Sequence, residues 1–131
     1  MLKKIKVSEV MSEDVFTTTV DEEVVFAFEK LMKHKVSALP VLNESDEMVG
    51  IVTATDLGYN LILDKYKLGT KVSSVMVKNV TSVRPDESLH DAIYAMKENA
   101  PDKHIINQLP VIKDNKIVGI ISDGDIIKAI V

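Results

Sequence analysis

A chain of 131 residues and 14.5 kDa is the size of one domain with room for a real core. With 5% aromatic residues, no Trp and no Cys, that core must rest on Val, Ile, Leu and Met, and disulfides, thiolate metal sites and thiol nucleophiles are excluded. A net charge of −4 and a pI near 5.3 argue against broad nucleic-acid binding, which needs a basic footprint.

Met1-Leu2-Lys3-Lys4 opens the chain with basic residues, but Lys6, Ser8 and Glu9 interrupt any apolar run, so no signal peptide is expected. No stretch approaches the roughly 18 consecutive apolar residues of a membrane span. The expectation is a cytoplasmic protein with no membrane contact.

In chain order, Val7-Ser8-Glu9-Val10-Met11 is followed by a short expected strand at Phe16-Thr17-Thr18. Apolar residues at Val24, Ala27, Phe28, Leu31 and Met32 then keep the i, i+3, i+4, i+7, i+8 spacing of a helix with one buried face, and Asp21 supplies an acidic start. Two strands, Ala38–Leu42 and Met48–Thr53, flank the polar turn Asn43–Glu47 as in a hairpin, and a closing helix is expected over Asp56–Leu63. The polar stretch Asp64–Lys71, with Gly69, reads as a linker.

The same order then returns. Val72-Ser73-Ser74-Val75-Met76 repeats the opening string, Leu109-Pro110-Val111 repeats Leu39-Pro40-Val41, and Gly119-Ile120-Ile121-Ser122 repeats Gly50-Ile51-Val52-Thr53. Thr81-Ser82-Val83 is the second short strand, and Leu89, Ala92, Ile93 and Met96 form the second helical stripe behind Asp86-Glu87-Ser88. Gln108–Ile112, Lys116–Ser122 and a closing helix over Asp125–Ile130 complete it. The chain therefore divides into a first copy (1–63), a linker (64–71) and a second copy (72–131). Neither half, at about 60 residues, buries enough surface to be comfortably stable alone. The expected fold is mixed α/β, two tandem β-α-β-β-α repeats packed sheet to sheet about a pseudo-two-fold axis, with two clefts between the copies.

Each copy ends in Gly-x-x-(Ser/Thr)-x-x-Asp. A strand ends at the hydroxyl residue and a helix begins just beyond it, so backbone N–H groups point outward and offer an anion site suited to phosphate. Thr53 and Thr55 add hydroxyl donors, and Asp56 can accept both hydroxyls of a ribose. Gly50 allows close approach of a neighbouring chain or ligand. The same strings, Thr53-x-x-Asp56 and Ser122-x-x-Asp125, also fit a helix capping box with no ligand at all.

Val-x-x-Val-Met, Leu-Pro-Val and the closing motif, in order and twice, resemble the cystathionine-β-synthase (CBS) domain pair, or Bateman module, over nearly the whole chain. That resemblance implies binding of an adenosine-containing ligand (AMP, ADP, ATP or S-adenosylmethionine) and control of a partner protein. In the family each cleft joins the Ser/Thr and Asp of one copy to adenine-lining residues of the other. The resemblance thus implies one cleft of Ser122 and Asp125 with Val15, Phe16, Val36, Ser37 and Ala38. It implies another of Thr53, Thr55 and Asp56 with Val80, Thr81, Asn107, Gln108 and Leu109. Gly124 replaces Thr55, Asn107-Gln108 replaces Ser37-Ala38, and an insertion, Ala100–His104, precedes the latter, so the clefts are expected to be unequal. Lys33-His34-Lys35 and Lys103-His104 are candidate sources of positive potential for phosphates, or simply cations at helix C-termini.

Val25 and Phe26 fall off the apolar stripe, while their counterparts are His90 and Asp91. Together with Leu57, Leu61, Ile62, Leu63, Ile126, Ile127, Ile130 and Val131 they suggest a self-association surface, hence a homodimer. No nucleophile–base arrangement surrounds His34, His90 or His104, and no Gly-x-x-x-x-Gly-Lys-(Ser/Thr) loop exists, so catalysis is not expected. The functional expectation is a regulatory adenosine-binding module acting on an unknown effector protein; the alternative is a ligand-free interaction scaffold.

Overall fold

The Leu-Pro-Val strings and the strings that follow them form two antiparallel hairpins, one per copy. In the computed structural model, which describes residues 1–100 and 106–131, the first hairpin joins β2 (Ala38–Leu42) to β3 (Met48–Thr53), with β1 (Thr18–Thr19) parallel to β2. The second joins β4 (Gln108–Lys113) to β5 (Lys116–Ser122). Helices α1 (Val7–Val10), α2 (Val24–His34), α3 (Ala54–Ile62), α4 (Leu89–Glu98) and α5 (Asp123–Ile130), with a 3-10 turn at Val72–Ser74, complete a mixed α/β fold.

Proline sits inside β2 and β4 for a reason that the ladders make plain. Ile51, opposite Pro40, exchanges both of its backbone hydrogen bonds with Val77, and Ile120, opposite Pro110, exchanges both with Ser12. Pro40 and Pro110 therefore occupy non-hydrogen-bonded positions of their hairpins, where the missing N–H costs nothing on that side. On the other side β1 pairs only from Val41 onward, so no ladder bond is lost there either.

The second copy has a single parallel bridge, Val83 to Val111, where the first has β1 against β2 (Thr18 to Val41). The strand expected at Thr81–Val83 is reduced to that bridge, and the one expected at Phe16–Thr18 is Thr18–Thr19. Buried Thr18 explains the sturdier first version: its hydroxyl donates to the Glu22 carboxylate, and Lys30 Nζ ties Glu22 (3.1 Å) to the Thr17 carbonyl (3.0 Å).

The compact units do not coincide with the sequence copies. One unit is Phe16–Val80; the other combines Met1–Val15 with Thr81–Val131. Each thus contains the opening string of the other copy. In the first, Val72 packs with Val24, Ala27 and Leu31 of α2, Leu39 and Val41 of β2, Val52 and Leu57. In the second, Val7 packs with Val83, Leu89, Ala92, Met96, Leu109, Val111, Ile121 and Ile126. The stretch expected as a linker is fastened to the first unit: the Thr70 carbonyl accepts the Val24 N–H at 2.8 Å, Lys71 bridges Glu23, and Tyr66 packs on the core.

The two glycines of the repeated closing motif hold these borrowed strings. A Cβ at Gly50 would lie 2.7 Å from Met76 Sδ and 2.9 Å from the Val77 carbonyl oxygen. At Gly119 it would lie 2.6 Å from Met11 Sδ and 2.9 Å from the Ser12 oxygen. The close approach expected at Gly50 is to neighbouring chain.

Helix α2 buries Val24, Ala27 and Leu31 as the stripe predicts, but Met32 is half exposed. The N-cap of α2 is Glu23 rather than Asp21, with no side-chain cap bond. Ser88 caps α4: Asp91 N–H donates to its hydroxyl at 3.1 Å, and Ser88 N–H donates back to the Asp91 carboxylate at 3.0 Å.

Candidate functional site

The closing helices start two residues earlier than expected. Thr53 and Ser122 are the N-cap residues, so Asp56 and Asp125 stand at the third helical position instead of at the start. The capping geometry follows. Asp56 N–H donates to Thr53 Oγ1 at 3.2 Å, and Asp125 N–H donates to Ser122 Oγ at 3.1 Å. Only the second copy closes the box, with Ser122 N–H donating to Asp125 Oδ2 at 2.9 Å. Thr53 caps in one direction.

The hairpin register decides which expected residues meet. An antiparallel pair places the start of its first strand against the end of its second. Ala38 is opposite Thr53, and Ala54 N–H donates to the Ser37 carbonyl at 2.8 Å. Gln108 is opposite Ser122, and Asp123 N–H donates to the Asn107 carbonyl at 2.9 Å. Thr18 pairs with Val41 in parallel, which runs Phe16 back toward the Ala38 end. Val83 pairs with Val111, which runs Thr81 back toward Leu109.

The register brings residues together within each unit. Ser37 and Ala38 lie beside Thr53 in the Phe16–Val80 unit. Asn107 and Gln108 lie beside Ser122 in the other. Val36 packs against the core of the first unit, and Val15 and Val80 fall at the two chain crossings between the units.

Individual side chains add detail that no motif carries. Phe16, 38% exposed, stacks on His34 with ring centroids 3.9 Å apart and planes 12° from parallel. The last turn of α2 thus puts an aromatic pair near the Ser37–Ala38 end. Lys35 takes the left-handed C-cap position (φ 55°), where its N–H closes the helix onto Leu31 and Met32. Leu109 and Ala38 are buried, so their side chains belong to the core, and Leu109 offers a site only its backbone. Asn107 and Asp56 are exposed. Lys103-His104 and most of the insertion lie outside the described residues.

A cavity of about 570 Å³ lies at the opposite, turn end of the β4–β5 hairpin, among Lys6, Ser8, Arg84, Pro85, Ile112 and Lys113. It contains none of the expected site residues. Among the described residues no cluster of three metal-ligating side chains occurs, and no helix is long and apolar enough to cross a membrane.

The family model for the CBS domain matches residues 7–59 and 72–131. The chain belongs to the CBS domain family. Each matched segment runs from a Val-x-x-Val-Met opening through the hydroxyl–Asp close, so both hydroxyl–Asp ends lie within CBS domains.

As a CBS pair it is similar to solved structures over almost its full length. One is the CBS domain pair of protein MJ0100 in complex with 5′-methylthioadenosine and S-adenosyl-L-methionine, 28% identical, with a TM-score of 0.78, covering 95% of this chain and 94% of that one. Another is CBSX2 in complex with AMP, 28% identical, TM-score 0.79, covering 96% of each chain. Among curated proteins, the inosine-5′-monophosphate dehydrogenase of Methanocaldococcus jannaschii is 35% identical over 124 residues. This chain covers 23% of that enzyme's length, and about a quarter of three homoserine O-acetyltransferases to which it is 32–34% identical.

Proposed function

We propose that this CBS pair is a regulatory module that binds an adenosine-containing ligand and passes its occupancy to a partner protein, without itself carrying out a chemical step. The observation that carries this reading is the doubled hydroxyl–Asp end, in a chain whose similar structures hold AMP, 5′-methylthioadenosine and S-adenosyl-L-methionine. At the first end, α3 offers its N-terminal N–H groups and the Thr53 and Thr55 hydroxyls to an anionic group. Asp56 takes the ribose hydroxyls. At the second end Ser122 and Asp125 play the matching parts.

The exposed apolar residues support a homodimer. Val25, Phe26, Ile62, Leu63, Ile127 and Ile130 are all exposed, with Ile62 at 84%. Leu57 and Ile126 are core instead and drop out of the expected surface. The cytoplasm is the proposed compartment, consistent with a Cys-free chain.

Calorimetric titration of AMP, ADP, ATP and S-adenosylmethionine against wild type, Asp56→Ala and Asp125→Ala tests the reading. Loss of about tenfold or more in affinity is expected when the ribose-binding carboxylate is removed. If no adenosine compound binds wild type, the scaffold alternative replaces this one. Sedimentation of the same samples, with monomer alone at working concentration, would end the dimer.

A further inference from the structure

A helix opens with four backbone N–H groups that have no intrahelical partner. In α5 each of the four has one. Ser122 N–H donates to Asp125 Oδ2 at 2.9 Å, and Asp123 N–H to the Asn107 carbonyl at 2.9 Å. Gly124 N–H donates to Asp123 Oδ1 at 2.7 Å, and Asp125 N–H to Ser122 Oγ at 3.1 Å. The helix end is already filled, and part of what fills it is a carboxylate.

The matching end of α3 is built differently. Ala54 N–H donates to the Ser37 carbonyl and Asp56 N–H to Thr53 Oγ1, as their counterparts do. Ala54, however, stands where Asp123 stands, and a methyl group cannot accept the Thr55 N–H. The charge differs as well: the first turn of α5 carries Asp123 and Asp125, that of α3 only Asp56.

We propose that Asp123 is a specificity-determining residue, which makes the second-copy end select adenosine ligands with a neutral or positively charged 5′ group and leaves phosphate-bearing ligands to the Thr53–Asp56 end. The proposal rests on the adenosine-binding reading above. A phosphate at the start of α5 must displace the Asp123 carboxylate from the Gly124 N–H and then sit beside two carboxylates. A nucleoside or thioether meets neither cost, and a cationic substituent is attracted. Like charges a few ångströms apart near a protein surface repel strongly enough to change affinity by about tenfold or more. A purely structural role for Asp123, favouring the positive end of the helix dipole, would alter stability but not the ratio of affinities for charged and neutral ligands.

The test is a minimal pair, adenosine against AMP, read at each end separately. Amide chemical shifts of Thr55 and Gly124 are followed in the full-length ¹⁵N-labelled chain. In wild type, adenosine is expected to move both amides, whereas AMP moves Thr55 at a concentration about tenfold lower than Gly124. Asp123→Ala should raise the affinity for AMP at Gly124 by about tenfold and leave adenosine unchanged there. Ala54→Asp, the reciprocal change, should weaken AMP at Thr55, and it carries the test alone if Asp123→Ala does not fold. Equal AMP and adenosine affinities at Gly124 in wild type, or an AMP-to-adenosine ratio that neither variant alters, overturns the role of Asp123 while leaving adenosine binding intact. If neither compound moves either amide, the adenosine reading itself fails and Asp123 with it.

Discussion

The two closing motifs, alike as strings, behave differently as structure. At the second copy the hydroxyl–Asp pair closes a reciprocal box, and Asp123 satisfies one more N–H. At the first, Thr53 caps in one direction and Ala54 adds nothing. The glycine half of the motif makes the opposite point. Gly50 and Gly119 are crowded in nearly the same way, each against a methionine sulfur and a carbonyl oxygen of a borrowed opening string. One short motif thus contains a part that both copies need for folding and a part in which they have diverged. The differing residue Asp123 is exposed, whereas each glycine stands against a backbone carbonyl.

The largest expected effect breaks the part that is shared. Gly50→Ala and Gly119→Ala each drive a methyl group against a backbone carbonyl 2.9 Å away as well as against a flexible sulfur. Overpacking of this kind costs about 1–3 kcal/mol, and the two variants should lose similar amounts by urea denaturation. A large loss at one glycine and none at the other would mean that the two borrowed strings are not held alike.

A smaller, unequal effect is expected at the part that has diverged. Ser122→Ala removes the acceptor for the Asp125 N–H and opens a two-bond box, costing about 1–2 kcal/mol, while Thr53→Ala removes a one-way cap and costs about 0.5–1 kcal/mol. Asp125→Ala should likewise destabilise more than Asp56→Ala, because only Asp125 returns a bond to its cap residue. Equal losses in both pairs, measured by chemical denaturation, would erase the difference on which the unequal ends rest.

These contrasts mark where the sequence was legible and where it was not. Strands, hairpins and helical stripes could be read because apolar spacing is set by local geometry: Val24, Ala27 and Leu31 are core in one copy, and Leu89, Ala92 and Met96 in the other. Capping at Thr53 and Ser122 was visible too, since it needs only a hydroxyl shortly before an Asp. What escaped was everything that depends on which copy a segment joins. Val7 and Val72 read as the starts of their own copies, yet each completes the core of the unit formed by the other, a choice made by tertiary contacts that leave no local trace. The grouping of Ser37 with Thr53 could have been found, because antiparallel register alone dictates it. The Phe16–His34 stack could not, since one ring precedes β1, the other ends α2, and no periodicity relates them.

The smallest expected effect lies at the start of the long helices, where Phe26 and Asp91 occupy matching positions. Phe26 is 51% exposed and carries no charge. Asp91 is exposed and held below the ordinary aspartate range, first by the Ser88 backbone N–H, then by the Ser88 side chain, with smaller help from the nearby charges of His90 and Arg84. A carboxyl whose acidity is raised by folding contributes its stability above the unfolded pKa and loses it as pH falls through the lower, folded value. Wild type should therefore lose the contribution of the Ser88–Asp91 box progressively below about pH 4. Asp91→Asn, already unable to ionise, should be slightly less stable at pH 7 and should show a shallower fall in melting temperature between pH 5 and pH 3. Because Asp91 is solvent-exposed, the difference is screened by salt and largest at low ionic strength. Parallel acid melts of the two proteins would refute a titrating Ser88–Asp91 cap at the start of α4.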